Sequence, residues 1–315
     1  MPFSSDPQIA KTSQDLVSQF HTIFGPQPGI RPAHGKGLLL AGTFHPSKAA
    51  ATLTTAPHLI TPTTTPLTIR FSNSTGLPNI PDTDPNANPR GIGIRFHIAE
   101  HIHTDVIAHS TPYFPTRTGA EFLEFLKALS AHPPENGGVS AVEEFLASHP
   151  AALAFVRAEK AAPSSFAREA FYGVNAFRFV DGEGRETVFR YRIVPTLGEE
   201  HLDEEGLKAR SPDFLFEDMM KRVEGGEETV FKLLAQIAEE GDVVDDATVR
   251  WPESRKLVEL GEVRVEKVVG ENAKKQKKII YDPIPRVEGI EASADPLLEM
   301  RANVYLISGK ERRAA

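Results

Sequence analysis

Residues 6–24 read DPQIAKTSQDLVSQFHTIF, with Ile9, Leu16, Val17, Phe20 and Phe24 at three- to four-residue spacings and Gly25-Pro26 directly after. This pattern predicts an amphipathic helix that docks on another part of the protein. The runs GLLLAGTF, PLTIRFSN, RGIGIRFHI and HTDVIAHST (residues 103–111) favour β-structure and are separated by Pro, Gly, Asn and Asp. Between them PNIPDTDPNANPR, residues 78–90, is a turn-rich connector. The period then becomes helical in TGAEFLEFLKALSAH, VSAVEEFLASH and PAALAFVRAEK, the last two starting near Ser140 and Pro150. Alternation returns in GVNAFRFVDGEGRETVFRYRIVP, where Asp-Gly-Glu-Gly joins two strand-like runs into a hairpin. ETVFKLLAQIAEEGD is compatible with a helix, KLVELGEVRVEKVV reads as a strand, and the polar GENAKKQKK reads as a solvated loop. In SADPLLEMRANVYLISG we expect a capped helix, with Ser293 or Asp295 as N-cap, Pro296 at its first position and Gly309 near its end.

Strands in two clusters, helices inserted between them, no internal repeat and no long polar linker point to an α+β fold. We expect one domain built on a large antiparallel sheet or barrel. The 315 residues are 40% apolar, with 19 Phe against one Trp, enough for a sizeable Phe-rich core. A formal net charge of −8 argues against nucleic acid or an anionic membrane as the main partner, while leaving room for a local basic pocket. The chain has no cysteine, which excludes disulfides, thiolate metal sites, iron–sulfur clusters and a cysteine nucleophile. MPFSSDPQIAKTSQDL lacks the layout of a signal peptide, no run reaches membrane-spanning length, and KERRAA carries no common targeting signal. A soluble, cytoplasmic protein is the expectation.

Two short stretches carry candidate chemistry. In RPAHGKG, residues 31–37, His34 sits in a glycine-rich turn at the mouth of a strand. Gly35 and Gly37 would let the backbone pass close to something flat or bulky, with His34 as a proton shuttle above it. In the last helix Arg301 and Tyr305 are four residues apart and share a face, so a guanidinium can hold an ionised phenol oxygen that ligates haem iron. Other candidates are weaker. His101 and His103 share a strand face at spacing two and read as surface residues rather than metal ligands. Asp82, Asp84 and Asn86 open like a calcium loop but lack its later Gly and Glu.

Taken together, these stretches resemble the catalase family. RPAHGKG resembles the segment around the distal His, PLTIRFSNSTG the strand with the distal Ser, and DPLLEMRANVY the proximal helix with its R-x-x-x-Y motif. GVNAFRFVDGEGRETVFRYRIVP resembles the central hairpin, and VRWPESRKLVELGEV the later W-P segment. The matches keep the family order over about residues 28 to 313, and the chain is most similar to small catalase-related haem peroxidases. The resemblance implies a catalase-like antiparallel β-barrel with inserted and flanking helices at residues 28–315, preceded by a helical arm at residues 1–27.

It also implies heme b, with Tyr305 as axial iron ligand and Arg301 as its partner. His34 would be the distal acid–base, Ser72 would bond its other ring nitrogen, and Arg31, Arg70 and Arg312 would bind the propionates. Phe122 would pack near the porphyrin. One position departs: the family's Asn-Asn-Thr-Pro run reads Ala108-His109-Ser110-Thr111-Pro112 here, so His109 stands where the first Asn faces peroxide. The implied activity is peroxidation with hydrogen peroxide or organic hydroperoxides as acceptor and small organic electron donors, with weak catalase activity. A fatty-acid hydroperoxide lyase or isomerase, a small true catalase and a homodimer are left open by the residues, while the acid–base pair His34 and Ser72 argues against a haem-storage protein.

Overall fold

The computed structural model describes residues 2–60, 62–134 and 138–315. The described residues form ten strands: β1 (Gly37–Pro46), β2 (Thr65–Ser72), β3 (Gly91–Ala99), β4 (Ile102–His109), β5 (Phe171–Tyr172), β6 (Phe177–Val180), β7 (Glu186–Pro195), β8 (Thr229–Ile237), β9 (Leu257–Val268) and β10 (Ile290–Ala292). They pair in the order β7-β5-β4-β3-β2-β1-β9-β8, all antiparallel, and β8 pairs back onto β7. The sheet thereby closes into an eight-stranded barrel, which leaves no free edge along that ring. β6 and β10 extend it beside β7.

The barrel follows from period-two alternation. Leu40, Ile69, Ile94 and Val106 lie in one cross-strand row, Leu38, Phe71, Ile92 and Ala108 in the next, and all face the core. Fully buried Phe44, Phe71, Phe96, Phe166, Phe171, Phe179, Phe189 and Phe231 fill the interior. The β6–β7 hairpin turns where Asp181 accepts hydrogen bonds from the Glu183 and Arg185 amides and Gly184 takes φ +78°.

The helices are α1 (Pro7–Phe24), α2 (Pro57–Ile60), α3 (Gly119–Ser130), α4 (Ala141–Ser148), α5 (Pro150–Arg157), α6 (Glu204–Lys208), α7 (Phe214–Glu224), α8 (Asn272–Lys278) and α9 (Pro296–Ala314). Asp6 caps α1, Ser140 and Glu143 form a capping box on α4, and Pro150 opens α5. α1 lies against α9 and α3, burying Leu16 and Val17, with Ser13 donating to the Met300 sulfur. No described helix is long and apolar enough to cross a membrane.

Four expectations change. The ambiguous segment after residue 227 is strand β8, because its alternate residues Phe231, Leu233 and Ala235 are needed in the barrel core. GENAKKQKK contains helix α8 rather than a loop, since Asn272 and Gln276 grip β1 from one side: Asn272 bonds the Leu39 amide and carbonyl, and Gln276 the Gly37 carbonyl. Gly309 lies inside α9, where a Cβ would come within 2.1 Å of Ile280; it allows close packing instead of ending the helix. His101 occupies the β3–β4 turn at φ +63° and shares no strand face with His103. Of the two possible N-caps, Asp295 serves, accepting from the Leu297 amide at 2.9 Å.

Candidate active site

The outer faces of β2, β3 and β4 carry the residues that alternate with the core rows. Ser72, Gly91 and His109 form one cross-strand row, and Arg70, Gly93 and Ile107 the next. All six line a cavity of about 440 Å³ that α1, α3 and α9 also border. The sequence Gly-Ile-Gly-Ile at 91–94 explains the hollow: isoleucines point into the barrel while the glycines leave space outside. A Cβ on Gly91 would sit 2.8 Å from Ser72 Oγ and 2.9 Å from His34 Nδ1.

His34 reaches this cavity from the turn before β1 in a left-handed backbone conformation, φ +55°, uncommon for a residue with a Cβ. Its amide donates to the Ser74 carbonyl at 2.9 Å, and Arg70 Nη2 donates to its carbonyl at 2.8 Å, so backbone and guanidinium together hold the turn. Ring nitrogen Nδ1 lies 3.1 Å from Ser72 Oγ. Burial, aided by the charges of Arg70 and Arg31, lowers the His34 pKa to about 4, so the ring is neutral at pH 7. The glycines of this turn serve differently from the expectation. A Cβ on Gly35 would strike the Gly76 carbonyl, and one on Gly37 the Arg70 guanidinium, so they accommodate protein rather than border the cavity.

From α9, Tyr305 and Arg301 line the same cavity, and Arg301 Nε and Nη2 donate to the phenol oxygen at 3.2 and 3.1 Å. Arg301 Nη1 also donates to Asn175 Oδ1, and Asn175 Nδ2 donates to Asp295 at 2.8 Å. Burial raises the Asp295 pKa, partly offset by the hydrogen bonds it accepts from the Leu297 amide and Asn175. The N-cap of α9 thus braces the arginine that holds Tyr305. Asn175 and Asp295 are positioning residues that sequence reading missed, because Asn175 and Arg301 are 126 positions apart.

Arg31, Arg70 and Arg312 converge on another part of the wall. Arg31 donates to the Gln276 and Ile279 carbonyls at 3.2 and 2.9 Å, Arg312 to the Ile279 carbonyl at 2.9 Å, and Arg70 Nε to Gln276 Oε1 at 2.9 Å. α8 and the residue after it therefore hold all three. Among the described residues none of these arginines, nor Arg301, forms an ion pair with a carboxylate. Burial first, then neighbouring arginines, lowers the pKa of Arg70 well below its usual value and that of Arg312 to about 9; burial also lowers Arg31 to about 10. Arg312 Nε has no partner. Three neighbouring cations without an anion, two of them buried and Arg31 half-buried, call for a ligand with an acidic edge.

His109 completes the row. The Thr111 amide and hydroxyl lie 3.3 and 2.7 Å from its Nδ1. An amide can only donate, so Nδ1 is the acceptor and the ring proton sits on Nε2, which is buried without a partner. Burial, then Arg301 and His34, lowers its pKa to about 3, leaving the ring neutral. Phe122 lies in the apolar wall, with Phe114 and Phe20 at ring-centroid distances of 4.9 and 6.2 Å. Leu16, Phe125, Leu126 and Val304 extend that wall. All nine candidate residues thus border one cavity whose walls are apolar and whose one side is cationic, which fits haem, a flat apolar macrocycle with two carboxylates.

A catalase family model matches residues 28–314. The chain belongs to the catalase family. It is 33% identical over 304 residues to the catalase-related peroxidase of Mycolicibacterium paratuberculosis, covering 96% of this chain and 95% of that protein. Identity to the catalase-related peroxidase of Synechococcus elongatus is 28% over 305 residues, covering 96% and 88%. A fungal catalase crystal structure superposes with a TM-score of 0.81 at 20% identity, covering 95% of this chain and 63% of that one. The catalase-like barrel is therefore shared, while the chain spans about three fifths of that larger catalase. This catalase-family chain is a haem oxidoreductase acting on peroxide.

Asp82, the first residue of the calcium-like run, belongs to the support beneath the site. Its carboxylate accepts from Lys36 Nζ and Asn73 Nδ2, both at 2.8 Å, and from the Leu215 amide at 2.9 Å.

Proposed function

We propose that the protein is a heme b peroxidase that reduces hydrogen peroxide or small organic hydroperoxides at the expense of small organic electron donors, with little disproportionation of peroxide. Three arginines without a carboxylate, Arg70 and Arg312 buried and Arg31 half-buried, border the same cavity as His34 and Tyr305 and carry this assignment. Tyr305 would supply the phenol oxygen to the iron, and Arg31, Arg70 and Arg312 would neutralise the propionates. Haem, when bound, supplies the two-electron redox chemistry that peroxide cleavage requires.

The chain's own part is acid–base and electrostatic. His34, neutral at pH 7, takes the proton from the bound end of the peroxide and delivers it to the leaving oxygen, so that water or an alcohol departs. Ser72 at Nδ1 fixes the ring orientation, and Nε2 does the transfer. Arg301 donates two N–H groups to the Tyr305 oxygen and would moderate the charge that oxygen offers a haem iron held there. His109 Nε2–H is the neutral donor that meets a peroxide oxygen. An imidazole is bulkier than a side-chain amide, and a second peroxide must be held tightly for disproportionation. We therefore assign the dominant activity to donor oxidation.

The test is to follow oxygen release by electrode and oxidation of an aromatic donor by absorbance on one haem-loaded preparation. Donor oxidation exceeding oxygen release is expected. Rapid oxygen release with negligible donor oxidation would make the protein a small true catalase, and rapid donor-independent loss of a fatty-acid hydroperoxide would make it a lyase or isomerase.

A further inference from the structure

A second cavity, an open groove of about 520 Å³, lies on the outer face of β2, β1 and β9 beneath the overhang of α8. Thr68, Ala41 and Lys267 form its cross-strand floor, since Ala41 pairs with both Thr68 and Lys267. Lys275 of α8 and Ile279 form its sides. Lys267 and Lys275 are exposed, and neither forms an ion pair among the described residues. The chain's net charge is −8, which makes two unpaired lysines in one groove stand out. Many other surface cations of the molecule do sit against carboxylates, such as Lys11 on Asp15, Lys232 on Glu259 and Arg255 on Asp242.

What separates this groove from the active-site cavity is one segment of chain. Ile279 lines the groove, while Ile280 and Tyr281, the next two residues, line the cavity. The Ile279 carbonyl is the acceptor shared by Arg31 and Arg312, and the Tyr281 hydroxyl lies 3.5 Å from the carbonyl of groove residue Thr68. The groove therefore backs directly onto the cationic side of the cavity. Its unpaired lysines select an anion, and its volume admits a small molecule rather than a protein segment.

We propose that this groove binds a small anionic organic reductant, whose electrons reach the active site across the wall formed by residues 279–281. The proposal rests on the peroxidase reading above and names the donor class and its place of entry. Each donor monoanion gives up one electron and one proton. Two donors reduce one peroxide, the O–O bond breaks, and hydrogen peroxide yields two waters. Lys267 and Lys275 supply the charge that holds the donor, Thr68 can hydrogen-bond its hydroxyls, and Tyr281 is the aromatic side chain between donor and cavity.

Ascorbate and the neutral phenol guaiacol, compared in wild type and in the Lys267→Glu/Lys275→Glu variant, test the proposal. In the variant, KM for ascorbate should rise at least tenfold while guaiacol kinetics stay within twofold. Conservative Lys267→Arg/Lys275→Arg should restore the wild-type value. Independently of turnover, anaerobic equilibrium dialysis of peroxide-free protein should show saturable ascorbate binding that added salt and the Glu variant weaken. Ascorbate kinetics and binding unchanged in the variant, or no ascorbate binding by wild type, would overturn the groove assignment even if guaiacol is oxidised. Loss of guaiacol and ascorbate oxidation alike in wild type would instead overturn the peroxidase reading, with dialysis still deciding whether the groove binds the anion.

Discussion

Replacing Arg312 by methionine should leave the apoprotein nearly as stable and weaken its hold on haem. Arg312 is 4% exposed, and its pKa falls from 12.5 to about 9. At 1.36 kcal/mol per unit this corresponds to about 5 kcal/mol against the charged form, an upper bound. The substitution also removes donations to Ser308 and the Ile279 carbonyl, worth about 1.5–3 kcal/mol for each bond from a charged group. The Ile279 carbonyl keeps Arg31 as donor, and the Ser308 hydroxyl can turn to a carbonyl of its own helix. The terms nearly cancel, between a gain of about 2 and a loss of about 1 kcal/mol in the apoprotein. With haem bound, the lost guanidinium leaves a propionate short of a charge, which costs about 2–4 kcal/mol, or about 30- to 1,000-fold in affinity. Urea denaturation of apoprotein at constant m-value reads the first effect, and the rate of haem transfer to a competing apoprotein reads the second. Were Arg312 merely structural, its loss would lower apoprotein stability and leave haem transfer near the wild-type rate. Loss of apoprotein stability with haem transfer within twofold of wild type would refute the reasoning.

Two further outcomes follow from the buried histidines. His34→Ala should retain haem and slow peroxide cleavage by about 100-fold or more, the usual scale of general acid–base help; stopped-flow rates within twofold of wild type would remove His34 from the chemistry. Burial lowers the pKa of His34 to about 4 and of His58 and His109 to about 3, against 6.5 for the free ring. Each folded pKa lies below the unfolded one, so the unfolded chain binds more protons below pH 6.5. Apoprotein stability should then be nearly flat above pH 7 and fall by about 4 kcal/mol between pH 7 and 5.5, as three rings protonate in the unfolded chain alone at up to 1.36 kcal/mol per pH unit each. Equal urea midpoints at pH 7 and pH 5.5 would show that the rings are not held neutral.

Sequence alone goes furthest where physics is local. α1, α4 and α9 carry their caps, and α5 its opening Pro150, within four residues, and the strands carry period-two alternation, so these elements are legible. Ordered resemblance to a family brought the nine site residues together, although Arg31 and Arg312 are at opposite ends of the chain. What local pattern could not carry is the second job of a residue. Asn272 and Gln276 look solvated until β1 lies beneath them, and Asp295 is a helix cap until Asn175 joins it to Arg301. Gly-Ile-Gly-Ile at 91–94 was a usable signal: glycines at spacing two on a strand mark a face that something must approach closely. Its meaning becomes visible only when β3 lies between Ser72 and His109.

The account stands most directly on Tyr305 as the protein's bond to haem. Resonance Raman and absorption spectra of the ferric wild-type protein, beside those of Tyr305→Phe, measure it. Wild type should show phenolate vibrations enhanced through an iron–oxygen charge-transfer band, and the variant should lose that band together with most of its haem. The same spectrum and the same haem content in Tyr305→Phe would contradict the account.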